Sequence, residues 1–180
     1  LGEAQNIVTT FAPRRGASFV ATVPGHHIYG LLFSVLAPLL CGGAFLRETP
    51  LHAETVARLV RDHRAAVLVS TPIHLRSFAV LDGGALGPVE RLFSSAAPLS
   101  AETAATLVER QGLRPTEIFG STETGGVAWR EDTAAPWRPF EGVAIESTGD
   151  DHLRLRSPFL PSREAYTCAD RVELVEGGFR

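Results

Sequence analysis

Ile118-Phe119-Gly120-Ser121-Thr122-Glu123-Thr124-Gly125-Gly126 is the stretch on which the reading of this chain turns. An apolar run that begins at Glu117 stops at Gly120. Two hydroxyls, a carboxylate, a third hydroxyl and a glycine pair follow. Glycine admits positive φ and lets a ligand approach the main chain closely. Successive N–H groups in such a turn form an anion-binding concavity. Ser121 and Thr122 add hydroxyl donors, and Glu123 adds a hard oxygen of the kind Mg²⁺ prefers. These residues read either as a strand end that opens into a phosphate and metal site, or as a Ser/Thr-rich turn between two strands.

The chain leading up to this stretch alternates strand and helix. Leu1–Phe11 reads as a helix, broken by Pro13-Arg14-Arg15-Gly16. Ala17–Val23 reads as a buried strand that ends at Pro24-Gly25, and Leu31–Leu40 as a buried helix stopped by Gly42-Gly43. Ala44–Leu46 is a short strand. His52–His63 is an amphipathic helix with Val56, Leu59 and Val60 on one face. Ala66–Ser70 has the continuous hydrophobicity of a parallel-sheet interior. Thr71, as N-cap, and Pro72 then start a helix that runs to Leu81. Arg91–Ser95 is a strand, Ser100 caps the helix Ala101–Gln111, and Thr116–Phe119 is the strand into the opening stretch.

This alternation predicts an α/β fold, a mainly parallel sheet flanked by helices. Ligands of such sheets sit beyond the carboxyl ends of the strands. His26-His27, Ser70-Thr71, Ala96-Ala97-Pro98 and Gly120–Thr124 all fall at such ends. From about residue 140 the texture changes: Val143–Ser147, His152–Arg156 and Arg171–Val175 read as half-exposed strands. The expected organisation is an α/β subdomain over 1–139 and the start of a β-rich, barrel-like subdomain over 140–180.

Composition bounds the function. The 180 residues are 44% hydrophobic and 21% charged, ordinary for a soluble globular chain. A net charge of −3 gives no case for nucleic acid or an anionic membrane surface as partner. The longest apolar run, Ile28–Leu40, falls short of the ~20 residues a membrane helix needs. Cys41 and Cys168 match no metal spacing and read as buried free thiols, which with no visible signal peptide points to a reducing, cytoplasmic compartment. All 17 basic residues are Arg, so no step that needs a Lys can be supplied by this chain. Met is absent too, and the chain is expected to be a piece of a longer protein.

With these elements in place the chain resembles the adenylate-forming (AMP-binding) enzymes: acyl- and aryl-CoA synthetases, nonribosomal adenylation domains and luciferases. Pro24-Gly25-His26-His27-Ile28-Tyr29-Gly30-Leu31 resembles the family's Pro-x-x-His-x-Tyr-Gly helix start. Ser94-Ser95-Ala96-Ala97-Pro98-Leu99-Ser100 resembles its Ser-Gly-Gly-Ala-Pro-Leu loop. Phe119-Gly120-Ser121-Thr122-Glu123 resembles its Tyr-Gly-x-Thr-Glu signature, and Cys168-Ala169-Asp170-Arg171-Val172 its Thr-Gly-Asp-x-Val. The matches follow the family's order and cover nearly the whole chain.

The resemblance implies a chemistry. A carboxylate attacks the α-phosphate of ATP to give an acyl-adenylate and pyrophosphate, and a thiol then attacks the adenylate. Thr122 would hydrogen-bond the α-phosphate and Glu123 would hold Mg²⁺. Ala96, Ala97 and Pro98 would lie along the adenine, with Phe119 stacked on it where the family commonly has Tyr. Asp170 would accept both ribose hydroxyls. His27, or less favourably His26, would border the acyl and thiol channel, and Gly120 and Ser121 would line the acid pocket. The implied partners are a fatty or aromatic carboxylic acid, favoured by Phe33, Val69, Ile73 and Leu75, and coenzyme A or the phosphopantetheine arm of an acyl carrier protein. The family's phosphate loop and its Lys-bearing C-terminal domain are absent from this chain. The isolated 180 residues are therefore expected to bind nucleotide weakly and not to turn over.

Three other readings compete. One is a nucleotide- or acyl-adenylate-binding homologue that no longer catalyses. A serine hydrolase would need Gly-x-Ser-x-Gly, whereas Gly120-Ser121-Thr122-Glu123-Thr124 lacks the second Gly at that spacing. A zinc site from the six His is weaker still, because His52 and His63 show no ligand spacing.

Overall fold

Apolar runs with no polar interruption become the middle strands of one sheet. The computed structural model describes residues 1–162 and 164–180. In order come α1 (Gly2–Phe11), β1 (Ser18–Ala21), α2 (Ile28–Gly30), a π-helical segment (Leu31–Leu36), α3 (Ala37–Leu40), β2 (Ala44–Phe45), α4 (Ala53–Asp62), β3 (Val67–Ser70) and α5 (Pro72–Ala79). β4 (Arg91–Ser94), α6 (Ala101–Gln111), β5 (Pro115–Ser121), β6 (Gly125–Arg130) and β7 (Arg138–Pro139) complete the layer. The sheet has seven strands in the order β2-β1-β3-β4-β5-β6-β7. β2 to β5 run parallel, and β6 and β7 are antiparallel.

Strand alternation divides the core in two. Leu68 of β3 and Leu92 of β4 face α4, α5 and α6, where Val56, Val60, Leu75, Phe78 and Leu107 are buried. Val67, Val69 and Phe93 face the other way, against Ile7 and Phe11 of α1 and Phe33 of the π segment. α6 is bounded as the sequence predicts: Ser100 Oγ accepts the Thr103 N–H at 3.2 Å, and Gly112 ends the helix at φ 68°.

Four expectations are corrected. The helix over 31–40 is not uniformly α. Ser34 Oγ donates to the Gly30 carbonyl at 2.7 Å, and Pro38 has no N–H and would crowd the carbonyl four residues before it. A widened π turn accommodates both features. Thr71 precedes α5 but its side chain makes no capping bond; its hydroxyl lies 3.1 Å from His74 Nδ1 instead. Gly120 does not end its strand, because β5 continues to Ser121 opposite β6. Finally, Arg171–Val175 is not one strand.

The segment after β7 carries β8 (Ala144–Ser147), β9 (His152–Arg156), β10 (Tyr166–Arg171), β11 (Leu174–Val175) and β12 (Gly178–Phe179). β10-β9-β8 form a three-stranded sheet and β11-β12 a hairpin. β10 carries a register shift between Thr167 and Arg171, and it ends at Arg171, leaving two residues before β11 begins. These sheets are open, with no closed barrel among the described residues. Their buried residues Leu153, Leu155, Val172 and Phe179 join the same core as Phe11 and Phe33. Cys41 is buried as expected, whereas Cys168 is only partly so, and both are free thiols.

Candidate functional site

The opening stretch is a turn between two strands, and it also forms one wall of a cavity. β5 and β6 pair as far as Ser121 and Gly125, leaving Thr122-Glu123-Thr124 as the turn. Gly120 faces Gly126, and a Cβ at Gly120 would run into the Gly125 carbonyl oxygen. Side-chain hydroxyls shape the turn itself. Thr124 Oγ1 accepts the Ser121 N–H at 3.0 Å, and Ser121 Oγ accepts the Thr124 N–H at 3.3 Å. Thr124 is buried, while Ser121, Thr122 and Glu123 are exposed. The Ser121 hydroxyl and the residue's own N–H hold the Glu123 carboxyl below its ordinary range, so it stays ionised.

A cavity of about 290 Å³ opens against this turn. Its walls include His27, Ile28, Tyr29, Leu32 and Phe33 from the α2 region, Ser95 and Ala96 after β4, and Ile118 and Gly120–Glu123 from β5 and the turn. Three of the four predicted strand ends therefore converge, those after β1, β4 and β5. The fourth, Ser70-Thr71, lies outside the lining. Ser70 is buried beneath it, with Thr22 Oγ1 at 2.8 Å from Ser70 Oγ.

The expected site residues divide accordingly. His27, Ala96, Gly120, Ser121, Thr122 and Glu123 share the cavity. His26 does not line it. His27 Nδ1 accepts the Tyr29 N–H at 3.3 Å, so it caps the helix start while bordering the cavity. Ala97 and Pro98 are exposed on the same loop but outside the lining. Phe119 alternates to the other side of β5, where its ring packs on Trp137 (5.4 Å) and Phe179 (5.6 Å). Of the apolar residues expected around the acid, only Phe33 lines the cavity. Val69 and Leu75 belong to the cores, and Ile73 is 74% exposed because it falls on the outer face of α5.

Asp170 lies on β10, not in the cavity wall. Burial raises the Cys168 thiol's pKa first, and the charges of Asp170 and Glu123 raise it further, so both carboxylates act on one sulfur. Among the described residues no three His, Cys, Asp or Glu side chains group as a metal site. Glu123 alone suits the habit of Mg²⁺, which takes one or two carboxylates and completes its shell with substrate phosphates and water.

Other residues in or behind the walls carry no site role in the sequence reading. Ile118 and Tyr29 line the cavity, and the Tyr29 hydroxyl is buried towards the Ser70 backbone, outside the lining. Ser94 Oγ, one strand from Ser70, is unpartnered among the described residues. Glu3 of α1 reaches across to accept the Gly126 N–H, and burial raises its carboxyl pKa despite that bond. Thr124 could have been found from its spacing to Ser121, since hydroxyls three residues apart close such turns. Glu3 carries no sequence signal, being one acid on a helix 123 residues away.

Comparison with known proteins points the same way. The sequence model of the AMP-binding enzyme family matches residues 3–149. A 4-coumarate--CoA ligase of Cereibacter sphaeroides is 35% identical over 143 residues, 79% of this chain and 34% of that protein. A 4-coumarate--CoA ligase of Rhodobacter capsulatus is 35% identical over 169 residues, 92% of this chain and 42% of that protein. The chain thus spans well under half the length of these curated relatives. Among solved structures, ATP-bound MatB from Rhodopseudomonas palustris superposes with a TM-score of 0.88 at 17% identity, covering 99% of this chain and 42% of that one. AMP-bound O-succinylbenzoate coenzyme A synthetase (MenE) from Bacillus subtilis gives 0.85 at 14% identity, covering 98% and 42%. At such identities the likeness establishes the fold.

Proposed function

This chain belongs to the AMP-binding enzyme family, and on that premise we propose that it is the central part of an AMP-forming acid–thiol ligase. The convergence of the Thr122-Glu123 turn, the Ala96 loop and His27 on one cavity carries this reading. In the first half-reaction an oxygen of the bound carboxylate attacks the α-phosphorus of ATP and pyrophosphate leaves. In the second a thiol sulfur attacks the acyl carbon and AMP leaves.

The residues divide the work by position. Thr122, whose hydroxyl has no protein partner among the described residues, donates to the α-phosphate. Glu123, kept ionised by its neighbours, is the residue to hold Mg²⁺. The ion, when bound, neutralises phosphate charge. Ala96, Ala97 and Pro98 take the adenine edge, and Asp170 takes the ribose hydroxyls from β10. Gly120 and Ser121 border the acid carboxylate, and His27 borders the passage for the thiol. We read 1–139 as the α/β subdomain and 140–180 as the start of the second.

The acid is aromatic, because Ile118, Leu32 and Phe33 make up the apolar part of the cavity. Among aromatic acids we favour one with a hydroxylated ring. The 4-coumarate ligases among the relatives fit that choice, and they favour coenzyme A over a carrier protein as acceptor. No helix among the described residues is long and apolar enough to cross a membrane. The test is pyrophosphate release by the whole protein across a panel of acids with ATP. Hydroxylated aromatic acids should stand out, and no acid-dependent release from any member would overturn the reading.

A further inference from the structure

A backbone held in the left-handed region needs to be fixed from both sides. Ala96 sits there, at φ 75°, on the loop that borders the cavity. A Cβ makes that conformation costly, and it persists only where its surroundings over-determine it. Two bonds to β5 do so. Before Ala96, Ser95 Oγ donates to the Ile118 carbonyl at 2.8 Å. After it, the Leu99 N–H donates to Glu117 Oε2 at 3.1 Å.

Glu117 is itself fixed. Its other oxygen accepts the Arg130 Nε–H at 2.8 Å, and the two side chains are 5% and 16% exposed. They are cross-strand partners in the β5–β6 hairpin, whose turn carries Thr122 and Glu123. The Arg130 guanidinium lies 4.1 Å from the centre of the Trp137 ring, which in turn packs on Phe119. One buried carboxylate thus joins the strained loop to the hairpin. An ion pair that served only the core would have no reason to spend its second oxygen on a loop N–H.

We propose that Glu117, oriented by Arg130, is a positioning residue for the nucleotide: it holds Ala96–Pro98 in their strained shape at a fixed distance from Thr122 and Glu123. This rests on the adenylate-forming reading. Glu117 touches no substrate, and its effect reaches the nucleotide through the loop. Glu117→Gln keeps the size of the side chain but cannot accept from both Leu99 and Arg130. Gly at position 96 has no Cβ to penalise φ 75°, so it lowers the demand on the clamp.

The experiment measures ATP KM, acid KM and kcat of the whole protein for Glu117→Gln, Ala96→Gly and the pair. Glu117→Gln should raise ATP KM about tenfold, the scale of a lost hydrogen bond to a charged group. Acid KM and kcat should stay within about twofold, and Ala96→Gly in the same chain should restore at least half of the loss on a logarithmic scale. An unchanged ATP KM overturns the proposal. So does an equal worsening of all three, both KM values rising and kcat falling alike, or no rescue by Ala96→Gly. Should Glu117→Gln fail to fold, Ser95→Ala removes the opposite bond of the clamp. It should raise ATP KM about threefold, again rescued by Ala96→Gly, and no rise or no rescue overturns the proposal equally. A wild-type protein that neither binds ATP nor releases pyrophosphate would overturn the functional reading itself. Wild-type activity with unmoved variants would overturn only the clamp.

Discussion

The α/β layer and the β-rich segment after it are built on different terms. In the layer, β3 is buried at every position, and both faces of the sheet carry helices. In the later segment β9 buries only Leu153 and Leu155, between exposed Arg154 and Arg156, and β10 is exposed along most of its length. The second region has no core of its own, since its apolar side chains complete the one that α1 and the π segment begin. The proposed site spans this difference. Thr122, Glu123 and Ala96 stand on elements locked by the layer, whereas Asp170 stands on an exposed strand. The layer should therefore govern both folding and chemistry, and the later segment only the grip on the nucleotide.

The strongest attempt to break that division is Glu123→Gln. Glu123 is exposed and carries no core contact, so the unfolding free energy should stay within about 0.5 kcal/mol of wild type. Turnover of the whole protein should fall by about a thousandfold, as for loss of a group that meets transition-state charge. A fall of less than tenfold would remove Glu123 from the chemistry. Next in size is the contrast between Leu68→Ala and Leu174→Ala, read by urea unfolding. Leu68 is fully buried, and its truncation should cost about 3 kcal/mol. Leu174 is 48% exposed on the last hairpin, and its loss should stay within about 0.5 kcal/mol. Equal costs would mean that the later segment is as integral to the fold as the layer.

The same contrast explains what could be read from the sequence. Runs such as Ala66–Ser70 and the 3.6-residue spacing of Val56, Leu59 and Val60 are signals of burial, and burial on two faces leaves little choice of structure. The parallel direction of β1 to β5 follows from the alternation of such runs with helices. Strand ends were legible too, and three of four met at the cavity. Illegible were contacts fixed by tertiary distance. Glu3 reaches Gly126 across 123 residues, and Glu117 reads as the polar start of an apolar run until its partners are seen. The π turn depends on Ser34 and Pro38 acting together on one carbonyl ladder. Beyond residue 140 the strands are short and one-sided, so no periodicity marks the break between β10 and β11 that Arg171–Val175 spans.

Asp170 sharpens the comparison from the other side. Asp170→Ala should weaken AMP binding by about tenfold, the value of a charge-assisted hydrogen bond, while unfolding stays within about 0.5 kcal/mol because β10 is exposed. Calorimetric titration with AMP on the whole protein reads the first and urea the second. A large loss of stability would show that β10 supports the fold after all.

The smallest effect is a pH dependence at the edge of the layer. His74 lies on α5 at the carboxyl end of β3, with Nδ1 3.3 Å from Thr22 Oγ1 and 3.1 Å from Thr71 Oγ1. Burial lowers its pKa below the usual value, because the charged ring is the form that loses hydration. The folded protein therefore binds its proton less readily than the unfolded chain, whose His titrates near ~6.5. Between those two values the unfolded state holds more protons, so stability must rise with pH there. The contribution is present above about pH 6.5 and is lost as pH falls through the folded value. His74→Gln keeps a polar side chain that the two hydroxyls can bond, and it has no proton to gain. Urea midpoints from pH 7.5 down to pH 5 should fall less steeply in the variant than in wild type. Parallel slopes would mean that another group sets the acid response, and that the rim of the layer is as indifferent to charge as its centre.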